Sequence, residues 1–418
     1  MSSDREENEM WSELLATPAT KLMQAQERAE RFAEEKEAHK ACRELVQCTA
    51  LARIVYGNGH WKLAEALANL AHGYLTLQGL PIQALHHSNA AKCTIFAGGG
   101  APPASSDEKG EFLSTLVTIY YTLGASYLMQ KNGKESYCNL QKAERIMEEL
   151  RGTDWRGTQA PELKVSEREL LAALGRASLQ QNKLELAARH FEKAIDAVIS
   201  AKGEMSPELI NLYQKIAQTE QAKGNHEKSM GYLLQAHSMS LALYKKPSAE
   251  VASTAWLLGK AYAATGEEKH AEAAEMYFRE SLEAYKSALG TNHSRTISAL
   301  EDFSKWLGRV GKRKQAYDLL KESFISQSDP CSDFNEQAIE RLYIMGCICL
   351  AEMKIREAFQ LLSKCEQIQV AIYGSRHRKS KKIRELLDML KMVPAVHEGT
   401  NNMKQKRETL LCCSIPDL

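Results

Sequence analysis

Histidine binds metals and moves protons near neutral pH more readily than any other side chain. Three histidines of this 418-residue chain stand in matched settings: Gly57-x-x-His60, Gly290-x-x-His293 and Gly374-x-x-His377. Cysteine supplies a second set, with Cys347-x-Cys349 followed by Cys365. A zinc site needs four ligands at tetrahedral spacing, and neither set offers them. His226-Glu227 and His397-Glu398 lack the second histidine of a zincin helix. Gly133-Lys134 and Gly311-Lys312 lack the upstream glycine and following Ser/Thr of a phosphate loop. No G-x-S-x-G elbow occurs. No catalytic residue, metal or cofactor is expected, and each histidine is read as punctuation in a repeated structure. The cysteines are read as small buried thiols.

The elements that would place these residues emerge from small-residue spacing. In LLAALGRASLQQNKLELAARHFEKAI, Leu174-Gly175, Ala187, Phe191 and Ala194 follow the large, small, small, aromatic, small order of a tetratricopeptide hairpin. Leu70-Ala71, Leu123-Gly124, Ile216-Ala217, Leu258-Gly259 and Met345-Gly346 repeat the first pair. Ala41, Ala84, Ser136, Ser229, Ala274, Ala316 and Ala358 repeat Ala187. Phe278, Leu45, Leu140, Leu233, Leu320 and Leu362 stand at the aromatic site. The hairpins begin near residues 22, 64, 117, 168, 210, 252, 297 and 339, a period of about 42. The pattern predicts an all-α, right-handed superhelical solenoid of about eight hairpins, with small residues of the two helices facing each other and the aromatic beside them.

Three stretches exceed the period. AGGGAPPASSDEKG (97–110) and RGTDWRGTQAPEL (151–163) read as insertions between elements, and TGEEKHAEA (265–273) as an insertion within a hairpin. Each Gly-x-x-His falls where one hairpin meets the next, the glycine taking a left-handed conformation. Three histidines so placed lie roughly 20 Å or more apart, from the interaxial spacing of packed helices. They cannot share one ion.

RHRKSKKIRELLDMLK (376–391) is the densest basic run, a candidate nuclear signal. Its Ile383, Leu386, Leu387 and Leu390 recur at helical spacing, so it is read as a C-terminal capping helix. The domain reading is a disordered segment 1–19, the repeat array 20–392 and a flexible tail 393–418. Cys412-Cys413 in that tail is a candidate palmitoyl acceptor, with an unmodified reduced tail as the favoured reading.

Composition narrows the class. Apolar residues make up 44%, enough to build a core. The net charge of +1 gives no bulk attraction to nucleic acid or anionic membrane. MSSDREENEMWSELL lacks a signal peptide's basic and apolar regions, and no run of about 18 apolar residues stands ready to span a membrane. Ten cysteines without regular spacing suit a reducing compartment. A soluble, cytoplasmic protein is expected.

A 42-residue hairpin ending in Y/L-G-x-x-H resembles the kinesin light chain repeat. Over most of 20–392 the chain resembles the tetratricopeptide repeat protein 23 family, closest to its 23-like branch. GNGHWKLAEALANLAHGYLTLQGLPIQA (57–84), YYTLGASYLMQKNGKESYCNLQKAERIMEEL (120–150), AALGRASL (172–179), LLSKCEQIQVAIYGSRH (361–377) and the CCSIPDL end carry it. The resemblance implies no catalysis. It implies a cytoplasmic adaptor at the cilium, with Ellis–van Creveld zone partners and a positive role in Hedgehog signalling. For the 23-like branch it implies microtubule or centrosome association. Rival readings are a kinesin-type cargo adaptor and the regulatory subunit of an enzyme.

A solenoid of this kind presents its first (A) helices on the concave side, where peptides bind. Asn69, His72, Arg176, Gln218, Lys260 and Lys305 are the groove candidates. Asn69, in LANLA, resembles the kinesin light chain asparagine that holds a peptide backbone. By the same resemblance Arg176, Lys260 and Lys305 would meet acidic motifs. Repeat one carries Gln26 and Glu30 where a chaperone-tail carboxylate clamp needs other residues, which disfavours that partner.

Overall fold

The computed structural model describes residues 17–97, 103, 105–152, 163–244, 247–325 and 336–392. The segments 1–16 and 393–418, with Cys412 and Cys413, lie outside the described residues. The first helix begins at Pro18, with Thr17 as its N-cap. No strand occurs among the described residues.

Seventeen α-helices follow one another there. They are α1 (Pro18–Glu34), α2 (Ala38–Tyr56), α3 (Trp61–Thr76), α4 (Pro81–Ala97), α5 (Ser106–Met129) and α6 (Gly133–Gly152). Next come α7 (Glu167–Gln180), α8 (Leu184–Lys202), α9 (Pro207–Ala222), α10 (His226–Leu243), α11 (Ala249–Thr265) and α12 (Ala271–Leu289). The last are α13 (Ser294–Arg309), α14 (Arg313–Ile325), α15 (Glu336–Ala351), α16 (Ile355–Tyr373) and α17 (Arg378–Lys391). Odd-numbered helices through α15 are the A helices and even-numbered ones the B helices. The chain divides into two compact units, Met1–Tyr232 and Leu233–Leu418. In the first, α3 packs on α5 and α5 on α7; α1, α3, α5 and α7 each meet their own B helix, and α3, α5, α7 and α9 meet the B helix before. The second repeats the scheme from α11 to α16.

Each A-to-B turn contains one residue with positive φ. Gly79, Gly224, Gly266 and Gly311 fill four of these turns, and Lys36, Lys131, Asn182 and Met353 the others. A non-glycine residue there costs on the order of 1–2 kcal/mol, so hairpin packing must impose the turn. Between α11 and α12 a short 3-10 turn, Glu268–His270, follows Gly266, which places the 265–273 insertion inside a hairpin as expected.

Four of the hairpins close through one glycine contact. The small B-helix sites Ala41, Ala84, Ser136, Ala187, Ser229, Ala274, Ala316 and Ala358 are each at most 1% exposed, which the repeat requires. The A-helix glycine, however, lies chiefly under the large B-helix residue, with the small one beside it at Gly124, where the Ser136 carbonyl oxygen would stand 3.1 Å from a Cβ. A Cβ built on Gly175 would sit 2.7–2.9 Å from three ring atoms of Phe191, and one on Gly259 at 2.9 Å from Phe278. Gly124 and Gly346 meet Leu140 and Leu362 in the same way, at 2.5 and 2.8 Å. The expected small-on-small contact is therefore corrected: the axes approach until the aromatic or leucine touches the backbone of the facing helix.

The three Gly-x-x-His sequences join hairpins, and each histidine is an N-cap. Nδ1 of His60, His293 and His377 accepts the backbone N–H of Lys62, Arg295 and Lys379 at 3.1, 3.2 and 3.2 Å. The glycines have positive φ but extended ψ: 82° and 175° at Gly57, 90° and 165° at Gly290, 85° and 159° at Gly374. This region belongs almost to glycine alone, and it differs from the left-handed helical conformation the sequence suggested. Hydroxyls three residues past the cap tie the joint back, Thr296 to the Gly290 carbonyl at 2.8 Å and Ser380 to that of Gly374 at 3.0 Å.

Two boundaries moved. Residues 106–110, read as part of an insertion, already belong to α5, and Arg151 and Gly152 belong to α6. Within α5, Glu108–Met129 is long and apolar enough to cross a membrane by composition, but most of that stretch is buried in the fold. Its apolarity serves packing against α4, α6 and α7. In the second unit Phe278, Phe303 and Trp306 form a ring cluster with centroids 5.5–6.2 Å apart. Helix α17 buries Ile383, Leu387 and Leu390 in one cluster with Leu362 and Cys365, while Lys379, Lys381 and Lys382 remain exposed. Cys365 donates to the Ile339 carbonyl at 3.3 Å, and burial pushes its thiol up to about 12, where it stays protonated.

The close contact sets opposite outcomes for two glycines. Gly175→Ala introduces a clash of about 1–3 kcal/mol, offset by up to about 1 kcal/mol of helix propensity. A net loss is expected in urea unfolding. Gly231→Ala, on an exposed stretch of α10 with nothing within 4 Å, should gain about 1 kcal/mol.

His190 gives a second test. It is 6% exposed, neither ring nitrogen has a hydrogen-bond partner, and burial, then Lys193 and Arg189, lower it from 6.5 to about 4. The unfolded chain therefore takes up the proton first as pH falls, and stability declines from about pH 6.5 to 4. His190→Leu should gain on the wild type by up to ~3 kcal/mol across that window, read from denaturant midpoints.

Candidate peptide-binding groove

Helical periodicity decides which A-helix side chains look outward. Counted from the small residue, positions two, three and six back and one ahead share the face turned from the B helix. In the first unit this face is grooved. A cavity of about 530 Å³ opens between α1 and α3, with Leu45, Cys48, Ala66 and Gly73 among its apolar lining. Gln26, Glu27 and Glu30 of α1 and Glu65, Asn69 and His72 of α3 supply polar lining, with exposed Lys164 beside them. A second cavity of about 340 Å³ lies along α7 and α9. Tyr121, Arg176, Asn211 and Lys215 line it, with buried Phe191 beneath. The His72 and Tyr121 rings, 6.3 Å apart, link the two cavities.

The polar groups divide into satisfied and unsatisfied ones. Glu65 is paired with Lys62 at 3.1 Å, and Lys62 also reaches Glu111 at 2.6 Å. Glu208 takes both Arg168, at 3.0 Å, and Lys202, at 2.7 Å. Glu169 is engaged in the capping box of α7, accepting from the Ser166 backbone at 3.0 Å and hydroxyl at 2.7 Å. By contrast the amides of Gln26, Asn69 and Asn211 have no hydrogen-bond partner among the described residues. A side-chain amide offers a donor and an acceptor together, the pair an extended peptide backbone presents in return. Burial, then the nearby Lys164 charge, pushes His72 down to about 4 against the opposing pull of Glu169. At neutral pH it is an uncharged ring that can donate and accept. Burial also raises the Tyr121 hydroxyl.

Of the six sequence candidates, Asn69 and His72 share the first cavity and Arg176 lines the second. Gln218 lines neither; it is exposed and accepts from Lys215 at 3.4 Å. Lys260 and Lys305 were expected to be cations available to an acidic partner, and each is already held. Lys260 pairs with Asp302 at 3.1 Å and stands 4.5 Å over the Trp256 ring, whose Nε1 donates to the same carboxylate at 3.2 Å. Lys305 pairs with Glu340 at 2.7 Å. These bonds run from one A helix to the next within the second unit. Sequence counting missed Tyr121, Asn211, Lys215 and Trp256, although Tyr121 and Trp256 stand three before their glycines and Asn211 six before Ala217.

The second unit carries a charge under strain beside this ladder. Glu301 has a buried carboxylate oxygen without a partner. Burial, then Glu340, raises it from 4.5 to about 7, while Lys305 and Arg341 pull the other way. Arg341 is fully buried, its guanidinium 4.5 Å from the Phe324 ring centroid and 3.2 Å from the Ser323 hydroxyl.

Stacked helical hairpins closed by a glycine-under-large-residue contact, with a polar groove on the A-helix face, define a tetratricopeptide repeat solenoid of the protein-binding kind. The chain belongs to the tetratricopeptide repeat protein 23 family. It is 43% identical to tetratricopeptide repeat protein 23-like of Mus musculus over 381 residues, 91% of this chain and 82% of that protein. It is 33% identical to tetratricopeptide repeat protein 23 of Homo sapiens over 404 residues, 96% of this chain and 89% of that one. No protein-family model matches the chain. Among solved structures it is similar in fold to the apo form of RapI, with a TM-score of 0.56, 10% identity, and 92% of this chain and 98% of that chain covered.

Glu301 supplies the test of this electrostatic layout. Its raised value means that its contribution to stability is full below pH 4.5 and is lost as pH rises towards 7. Glu301→Gln should leave stability unchanged near pH 4 and raise it at pH 8 by about 1–2 kcal/mol, discounted for partial exposure. Urea titrations at the two pH values measure the difference.

Proposed function

We propose that the protein is a non-enzymatic adaptor whose first-unit A-helix groove holds an extended segment of a partner protein. The observation that carries this reading is the set of unpartnered amides, Gln26, Asn69 and Asn211, set along apolar-floored cavities. Amides so placed recognise peptide backbone, and the cavities between them accept side chains. We further propose that the adaptor works in the cytoplasm at the primary cilium, with Ellis–van Creveld zone partners, promoting Hedgehog signalling. Membership of the tetratricopeptide repeat protein 23 family supports this placement.

Affinity capture from ciliated cells, wild type against Asn69→Ala/Asn211→Ala, tests both halves. Both side chains lie off the core, so circular dichroism should be unchanged. The variant should recover ciliary partners at least about tenfold less, the loss of roughly 1.4 kcal/mol. Equal recovery would move binding to another surface. Absence of ciliary proteins from both captures would remove the ciliary placement and leave the adaptor reading to the peptide experiments. Co-sedimentation with microtubules should leave the purified protein in the supernatant; pelleting would favour a cytoskeletal adaptor instead.

A further inference from the structure

The groove is electrically lopsided once internal pairs are set aside. At the α1 end, Glu27 and Glu30 are exposed and have no ion-pair partner among the described residues, and they outnumber Lys164. At the α7–α9 end, Glu208 is held by Arg168 and Lys202, while Glu169, whose capping-box partners are neutral, keeps its negative charge. The cations Arg176 and Lys215 outnumber it. Arg176 donates only to the Ala172 carbonyl of its own helix, at 3.3 Å, and Lys215 only to the neutral amide of Gln218. Between the two ends stand the uncharged His72 ring and the Tyr121 ring.

We infer that the partner segment is dipolar: an extended peptide with a basic block seated over Glu27 and Glu30 and an acidic block seated over Arg176 and Lys215. The inference rests on the adaptor reading above and adds polarity to it. Like charges brought together across a groove are repelled, so one block order fits and the reverse does not. Neutral residues between the blocks pass the His72–Tyr121 pair. Glu30 and Arg176 are three repeats apart, roughly 60 Å at most from helix spacing, which about twenty extended residues span. The chain's own acidic N-terminal stretch, DREENE (4–9), has the wrong sign for the adjoining end of the groove. A uniformly acidic peptide meets only half of the surface.

The test uses the purified full chain and synthetic peptides of about twenty residues with one composition. In the first peptide a lysine block precedes a glutamate block, in the second the order is reversed, and in the third the charges alternate. Fluorescence anisotropy should show one block order binding about tenfold more tightly than either other peptide, with the preference shrinking as salt rises. The variant Glu27→Lys/Glu30→Lys/Arg176→Glu/Lys215→Glu should invert the preferred order. Should that variant fail to fold, the Glu27→Lys/Glu30→Lys and Arg176→Glu/Lys215→Glu proteins, taken separately, should each abolish the preference. Equal binding of the three peptides, or an unchanged ranking in the reversed protein, overturns the polarity. If Asn69→Ala/Asn211→Ala still weakens all three in that case, the groove stands and only its polarity falls. No binding by any peptide below about 1 mM overturns groove and polarity together. Self-association of the wild type that the reversals abolish assigns the surface to a second copy and overturns the peptide.

Discussion

A large side chain resting on the bare backbone of a facing helix is the contact on which the rest depends. Phe191 over Gly175, Phe278 over Gly259, Leu140 over Gly124 and Leu362 over Gly346 fix how near the two helices of a hairpin come. Glycine in a helix interior loses about 1 kcal/mol against alanine, and burying the apolar surface of a phenylalanine returns about 1.5–3 kcal/mol. The exchange favours packing, and it also sets direction. With the B side of these A helices given to packing, the opposite side is left for polar residues.

That opposite face is used differently in the two units. In the second, Lys260 to Asp302 and Lys305 to Glu340 stitch successive A helices, and Arg341 is drawn into the interior. Exposed pairs contribute little stability singly, but they spend the charge that a partner would otherwise meet. On this face of the first unit the internal pairs involve Lys62, Glu65, Arg168 and Glu208, leaving amides and the charges of Glu27, Glu30, Lys164, Glu169, Arg176 and Lys215 unspent. Recognition capacity thus follows from which polar groups the fold has not already satisfied, rather than from how many face outward.

The repeat was legible because its signal is size. The eight small B-helix positions named from the sequence are all buried, and the joints fall at the glycines. Size does not reveal what lies opposite, so small was matched with small when the true opposite was large. Residue type also marks a glycine as free to adopt positive φ without saying which ψ it takes. Lys36, Lys131 and Met353 gave no sign of positive φ, since the hairpin imposes it on side chains that would otherwise avoid it. Counting along single helices named Asn69, His72 and Arg176, which line the two cavities. It could not show that Lys260 pairs with Asp302 one repeat later, a relation invisible within one helix.

The joint glycines differ from the packed ones in what surrounds them. A Cβ on Gly57, Gly203, Gly290 or Gly374 would meet nothing within 4 Å, whereas every one of these residues has φ between 80° and 90°. Any missense change at such a codon adds a Cβ, so the damage comes from the backbone leaving that basin and not from collision. A mutated joint would keep both flanking hairpins folded and aim the next one along a different axis. Variants at these four codons would turn successive A helices off a common line and loosen the core they share, as Phe278 shares one with Leu300 and Phe303 across the Gly290 joint. Such a lesion reaches what the protein can hold through the direction of its hairpins rather than through collision.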